Sequence, residues 1–295
     1  MQDILCYNID AESETGQPVA KRFAVGGYPA LILLAPDGTP EDSIGGYLAP
    51  DKFKEEIRRV RSGKGTVGDL RRQVEADGRN VDKRFELARK LKGLGDSKGH
   101  DAQMAEIRKL DPEGKSLAMH RLAFEALVAK VEAGPGDTGD VDLDEVVAFL
   151  EKETYAEVLF DGWRLVADKR FELAQAAAQA GREADARKLQ TGLRDAIMRS
   201  WKHCPPEEVV PYSKAVASFF YQSSEELTGK EKAFALLAAR KAATEAPEDI
   251  AAIDVLACCL HMNGKKDEAL QQVLRCMELE PGNKKWKARL EQFQK

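Results

Sequence analysis

The sequence predicts a mostly α-helical chain: a solenoid of paired helices preceded by a small, partial α/β module. Three observations predict it. All clear strand-like runs fall within residues 1–62. From about residue 67 onward, Ala, Glu, Lys, Arg and Leu recur at helical spacing between Gly, Pro and Asp breaks. A seven-residue block then repeats letter for letter further along, as in a chain built from internal repeats.

Within the first 62 residues the strand signals are Ile4 to Ile9, Ala30 to Ala35 and Ser43 to Tyr47. Pro36-Asp37-Gly38 makes the turn between the last two, because Pro presets φ and Gly accepts a positive φ. Gln17 to Ala24 reads as a short helix. Asp51 to Arg61 reads as a second, with Phe53, Ile57 and Val60 on one face. Ser62-Gly63-Lys64-Gly65 breaks the pattern, so the domains are set at 1–62 and 67–295.

In the second part, Asp82-Lys83-Arg84-Phe85-Glu86-Leu87-Ala88 recurs as Asp168-Lys169-Arg170-Phe171-Glu172-Leu173-Ala174. Near the C-terminus, Leu256, Ala257, Leu260, Gly264, Ala269 and Pro281 combine small packing residues, a turn glycine and a helix-ending proline. These positions resemble the signature of a tetratricopeptide repeat of about 34 residues. The frame implies units at 81–114, 115–166, 167–200, 216–249 and 250–283, the second with an insertion at Gly134 to Asp140. Residues 201–215, with Cys204-Pro205-Pro206 and Pro211, read as an irregular join. Lys284 to Gln294 reads as a polar capping helix.

Phe23-Ala24-Val25-Gly26-Gly27-Tyr28-Pro29-Ala30-Leu31, followed by Pro36-Asp37-Gly38 and Gly45-Gly46-Tyr47, resembles the second half of a thioredoxin domain. The resemblance implies a cis-proline loop at Gly27, Tyr28 and Pro29, with a cis Tyr28-Pro29 bond. In that family this proline faces a redox dithiol. The strand and helix that would carry Cys-x-x-Cys have no counterpart in the sequence, and that pattern is absent throughout. Dithiol exchange needs an attacking thiolate with a resolving thiol beside it, so no catalytic residue is assigned.

By the same resemblance, the strand Ile4 to Ile9 lacks both neighbours, and an unpaired apolar edge is a pairing liability. Several outcomes are open: the strand re-registers, docks on the repeats or associates with another chain. Alternatively the native chain continues upstream with a Cys-x-x-Cys helix, which would make it a thiol-disulfide oxidoreductase.

Composition excludes several other classes. The 50 acidic and 45 basic residues are mixed along the chain, so no basic stripe points to nucleic acid. No apolar run approaches membrane-spanning length. Met1-Gln2-Asp3 is not the start of a signal peptide, and the five scattered cysteines form no disulfide framework. A cytoplasmic location is the default, with export expected if a signal peptide lies upstream.

His100, His120, His203 and His261 make no metal-binding spacing, and no Gly-rich phosphate loop occurs. Neither a metal nor a cofactor is therefore expected. Cys6 is placed on a core strand, Cys258-Cys259 and Cys276 read as packing residues, and His203-Cys204 reads as a loop. The remaining functional expectation is a peptide-binding groove on the first helices of the last repeats. It is lined by Ala217, Phe220, Ser224, Ala251, Asp254, Cys258 and His261, with Lys285 and Arg289 placed to grip a carboxylate. The reading is a protein-protein interaction scaffold whose partner is another polypeptide.

Overall fold

A computed structural model describes residues 5–133 and 143–294. The molecule is mostly helical, with one small sheet among the described residues. It forms two compact units, Met1–Leu122 and Ala123–Lys295, and the division falls within one helix.

The N-terminal unit opens with α1 (Gly16–Arg22) and a hairpin of β1 (Ala30–Leu34) and β2 (Pro40–Gly45). α2 (Pro50–Arg61), α3 (Val67–Ala76), α4 (Val81–Gly93), α5 (Ser97–Leu110) and the start of α6 (Leu117–Ala133) follow. The strands pair antiparallel with Leu31 opposite Ile44 and Leu33 opposite Asp42. Gly38, at φ 82°, closes the turn expected at Pro36-Asp37-Gly38, and its N–H bonds the Ala35 carbonyl at 2.9 Å.

The expected strand at Ile4 to Ile9 is a correction: residues 5–10 have no regular structure, and Leu5 and Tyr7 are 83% and 85% exposed. A strand exists only through the ladder of a neighbour, and here no third strand is present among the described residues. Cys6 is accordingly exposed and not part of a core. α2 also departs from expectation, since no residue of it is buried and Phe53 stays 37% exposed.

One ion cluster ties this unit together. Asp42 on β2 is fully buried, and its carboxylate is paired with both Arg59 of α2, at 2.9 Å, and Lys90 of α4. Glu41 beside it accepts the Gly68 N–H at the start of α3, at 3.0 Å. Ile32 of the sheet packs with Val67, Leu70, Val74, Leu87, Leu91 and Leu94 of the adjoining helical core. Gly95, at φ 83°, lies so near the Arg22 carbonyl that a Cβ would stand 2.4 Å from the oxygen, so only glycine lets the end of α1 rest there.

The C-terminal unit continues through α7 (Asp144–Leu150), α8 (Ala156–Gln179), α9 (Glu183–Trp201), α10 (Val209–Gln222) and α11 (Gly229–Glu245). It ends with α12 (Ile250–Met262), α13 (Lys266–Leu279) and α14 (Lys284–Gln294). Helices pack in consecutive pairs, α8 with α9, α10 with α11 and α12 with α13. α12 also packs against α10 and α11. Ala235, Ala238, Ala239, Ala242, Ala257 and Ala269 are fully buried at these contacts, where a methyl side chain permits close helix approach.

Other expected boundaries shift. The unit break between residues 166 and 167 falls inside α8, a helix of 24 residues. α3 belongs to none of the expected units. The join at 201–215 is mostly helical, with Pro211 in the first turn of α10, where proline removes no needed hydrogen bond. α14 is not purely polar, because Trp286 and Phe293 are buried. The breaker at Gly134 to Asp140 lies outside the described residues.

The repeated heptapeptide meets two environments. Phe85 is 3% exposed in its core, whereas Phe171 is 47% exposed on α8. Truncating Phe85 to Ala should therefore cost about 3 kcal/mol or more, and Phe171→Ala under about 1 kcal/mol, in urea-induced unfolding. Equal losses would contradict this assignment of burial. In the same assay Asp42→Ala, which leaves two partly buried cations without their carboxylate, should cost about 2 to 3 kcal/mol. A loss below about 0.5 kcal/mol would show that the cluster does not hold the hairpin to α2 and α4.

Candidate binding faces

Two places could receive a ligand, one in each unit. In the N-terminal unit the Tyr28-Pro29 peptide bond is cis, and the Pro29 carbonyl accepts the Gly46 N–H at 2.8 Å. The loop Gly26, Gly27 and Tyr28 borders an open cavity of about 250 Å³ that Ile32, Ile44 and Gly93 also line. Its walls are mostly apolar side chains and glycine backbone, with no ionisable group apart from the Tyr28 phenol. Tyr28 itself is 62% exposed.

In the C-terminal unit, five of the nine expected groove residues come together: Asp254, Cys258, His261, Lys285 and Arg289. Asp254 of α12 accepts from Lys285 Nζ at 2.8 Å and from Arg289 Nε at 3.2 Å, both on α14. One turn on, the Cys258 thiol lies 3.9 Å from the same carboxylate and donates to it. His261 stacks on Phe293 with ring centroids 4.2 Å apart, and the Arg289 guanidinium lies 5.7 Å from that ring. Lys285 Nζ sits 4.5 Å from the Trp286 ring.

Three expectations need correction. Phe220 and Ala217 are fully buried, and Phe220 packs edge-on against Phe219 and Phe234. The face of α10 is turned by about one residue, or 100°. Tyr221, half-buried beside Cys258, stands where Phe220 was expected. Cys258 is buried and forms wall, not surface. The basic pair does not wait for a ligand carboxylate, because Asp254 already occupies it. Ser224 opens a 3-10 turn after α10, half-buried.

Asp254 was legible as a polar residue on a largely apolar helix, but its partners lie 31 and 35 positions further on. Only packing of α14 against α12 discloses them. Tyr221 was missed because nothing in the apolar run Ala217 to Tyr221 says which aromatic side chain faces the core.

The thiols of this unit are held protonated. Burial pushes Cys258 up to about 11, with Asp254 adding to the effect, and burial pushes Cys259 up to about 12. Cys276 is likewise raised by burial to about 11. Cys204 rises to about 11 by burial and the nearby Glu208 charge, while burial lowers His203, and the Cys204 thiol points to the Pro205 carbonyl. Neither residue activates the other. Among the described residues no three His, Cys, Asp or Glu side chains are grouped to hold a metal ion, and no helix is long and apolar enough to cross a membrane.

Comparison with protein-family models gives no match, and comparison with curated protein sequences gives none either.

The thiol values yield a direct expectation. A group with its pKa near 11 is about one part in a thousand thiolate at pH 8, and alkylation proceeds through the thiolate. Native protein at about 1 µM and pH 8 should therefore alkylate at exposed Cys6 while Cys204, Cys258, Cys259 and Cys276 lag by about a hundredfold or more. The lag should shrink as pH rises toward 11, because the thiolate fraction grows tenfold per pH unit below the pKa. Rapid labelling of Cys258 at pH 8, read by peptide mass, would refute the protonated state.

Proposed function

We propose that this chain is a non-catalytic protein-interaction scaffold, an array of tetratricopeptide-like helix pairs preceded by a redox-inactive thioredoxin-like module. The observation that carries the reading is the cluster where α10, α12 and α14 meet. Two cations on α14 share one carboxylate of α12 beside the half-exposed aromatic Tyr221 and the His261-Phe293 stack, and Lys285 stays more than half exposed. Such a face suits an extended polypeptide that offers an acidic group next to an apolar side chain.

The packing of α12 against both α10 and α11 supports the repeat-like stacking, and stacked helix pairs offer extended surfaces for polypeptides. Buried, protonated thiols support a role other than thiol chemistry for the C-terminal unit.

The test is selection of a displayed random-peptide library on the purified chain, followed by titration of the best peptide. Lys285 is 53% exposed and its loss leaves the Arg289 pair with Asp254 intact. Lys285→Glu should weaken the selected peptide about tenfold or more while leaving the melting temperature within a few degrees. Failure to enrich any peptide, or equal affinity of the variant and the parent, would overturn the reading.

A further inference from the structure

We propose that the free edge of β1 receives residues 5–9 of a second copy of this chain as an added strand, so that two copies exchange segments in a closed dimer. This inference is independent of the peptide-binding face on the C-terminal unit.

The ladder determines which backbone groups are available. The Gly46 N–H bonds the Pro29 carbonyl, so the pairs Pro29 with Gly46, Leu31 with Ile44 and Leu33 with Asp42 carry the ladder bonds. Residues between them direct their backbone groups to the outer edges. On β2 the outward Ser43 N–H is already taken by the Asp42 carboxylate at 2.8 Å. On β1 the outward groups are those of Ala30 and Ile32, and neither forms a hydrogen bond outside the ladder among the described residues. Both residues line the open cavity beside the cis-proline loop. Edge strands of soluble proteins are ordinarily protected by Lys, Pro or a bulge. Ala30 to Leu33 has no charge and no Pro, and the register irregularity comes only at its end.

The occupant is argued from the same unit. Leu5, Tyr7 and Ile9 alternate with Cys6 and Asn8 in a period-2 pattern that suits a strand, yet this segment is irregular, with Leu5 83%, Tyr7 85% and Ile9 49% exposed. It is five residues long, as is β1, and neither run carries a charged side chain, so pairing them brings no like charges together. Exchange between two copies uses the same two surfaces on each, which closes the assembly at a dimer.

Sedimentation of the full chain from about 1 to about 100 µM should show a rise from 32.6 kDa toward twice that mass. Cys6 lies within the docking segment, so its alkylation should slow in step with the dimer fraction. Tyr7→Lys should weaken dimerisation at least tenfold, and because Tyr7 is 85% exposed in an irregular segment, the fold of the variant is not at stake. A monomer across the whole range would overturn the proposal, and so would a dimer unaffected by Tyr7→Lys or one that leaves Cys6 alkylation unchanged.

Discussion

The N-terminal unit depends on how a buried charge is satisfied. Asp42 has no exposure to water, and a carboxylate without solvent or counter-charge is too costly for a folded protein to keep. Arg59 and Lys90 meet that requirement from two different helices, and the Ser43 N–H adds a third contact. A two-stranded hairpin is marginal by itself in water. Here it is held by charge pairing to α2 and α4 and by Ile32 in the adjoining helical core, so a strand-bearing segment becomes part of a helical unit.

The C-terminal unit is built differently. Alanines with no exposure let α10, α11, α12 and α13 approach closely, and the aromatic side chains Trp201, Phe219, Phe220 and Phe234 pack edge to face where α9, α10 and α11 meet. Its buried ion pair, Arg194 with Glu231 at 2.7 Å, joins α9 to α11. Burial alone would raise Glu231, but hydrogen bonds from Thr228 and Arg194 outweigh it and hold the carboxyl below its ordinary value. The same Glu231 completes the Thr228 capping box at the start of α11, so one side chain both starts a helix and fastens it to its neighbour.

The cluster around Asp254 follows from this packing. α14 packs on α13 and buries Trp286 and Phe293, and that contact carries Lys285 and Arg289 to the carboxylate of α12. A pair of basic residues four apart on a helix looks free in sequence, but in the folded chain it is already half-neutralised. Beside that pair stand the half-exposed Tyr221 and the stacked His261 and Phe293 rings.

By itself the sequence determined the helical class, the hairpin with its Pro36-Asp37-Gly38 turn, the α4 with α5 and α12 with α13 pairs, and the small residues Ala257 and Ala269 at close contacts. These are local properties, set by helical period, turn geometry and side-chain size within a few residues. Only the tertiary structure decided that residues 5–9 form no strand within a single chain, because a strand needs the backbone of a neighbour. It also decided that identical heptapeptides bury Phe85 and expose Phe171, and that Tyr221 rather than Phe220 faces outward. The partners of Asp42 and Asp254 stand 17, 48, 31 and 35 positions away, and no local pattern encodes which distant cation a buried carboxylate will meet.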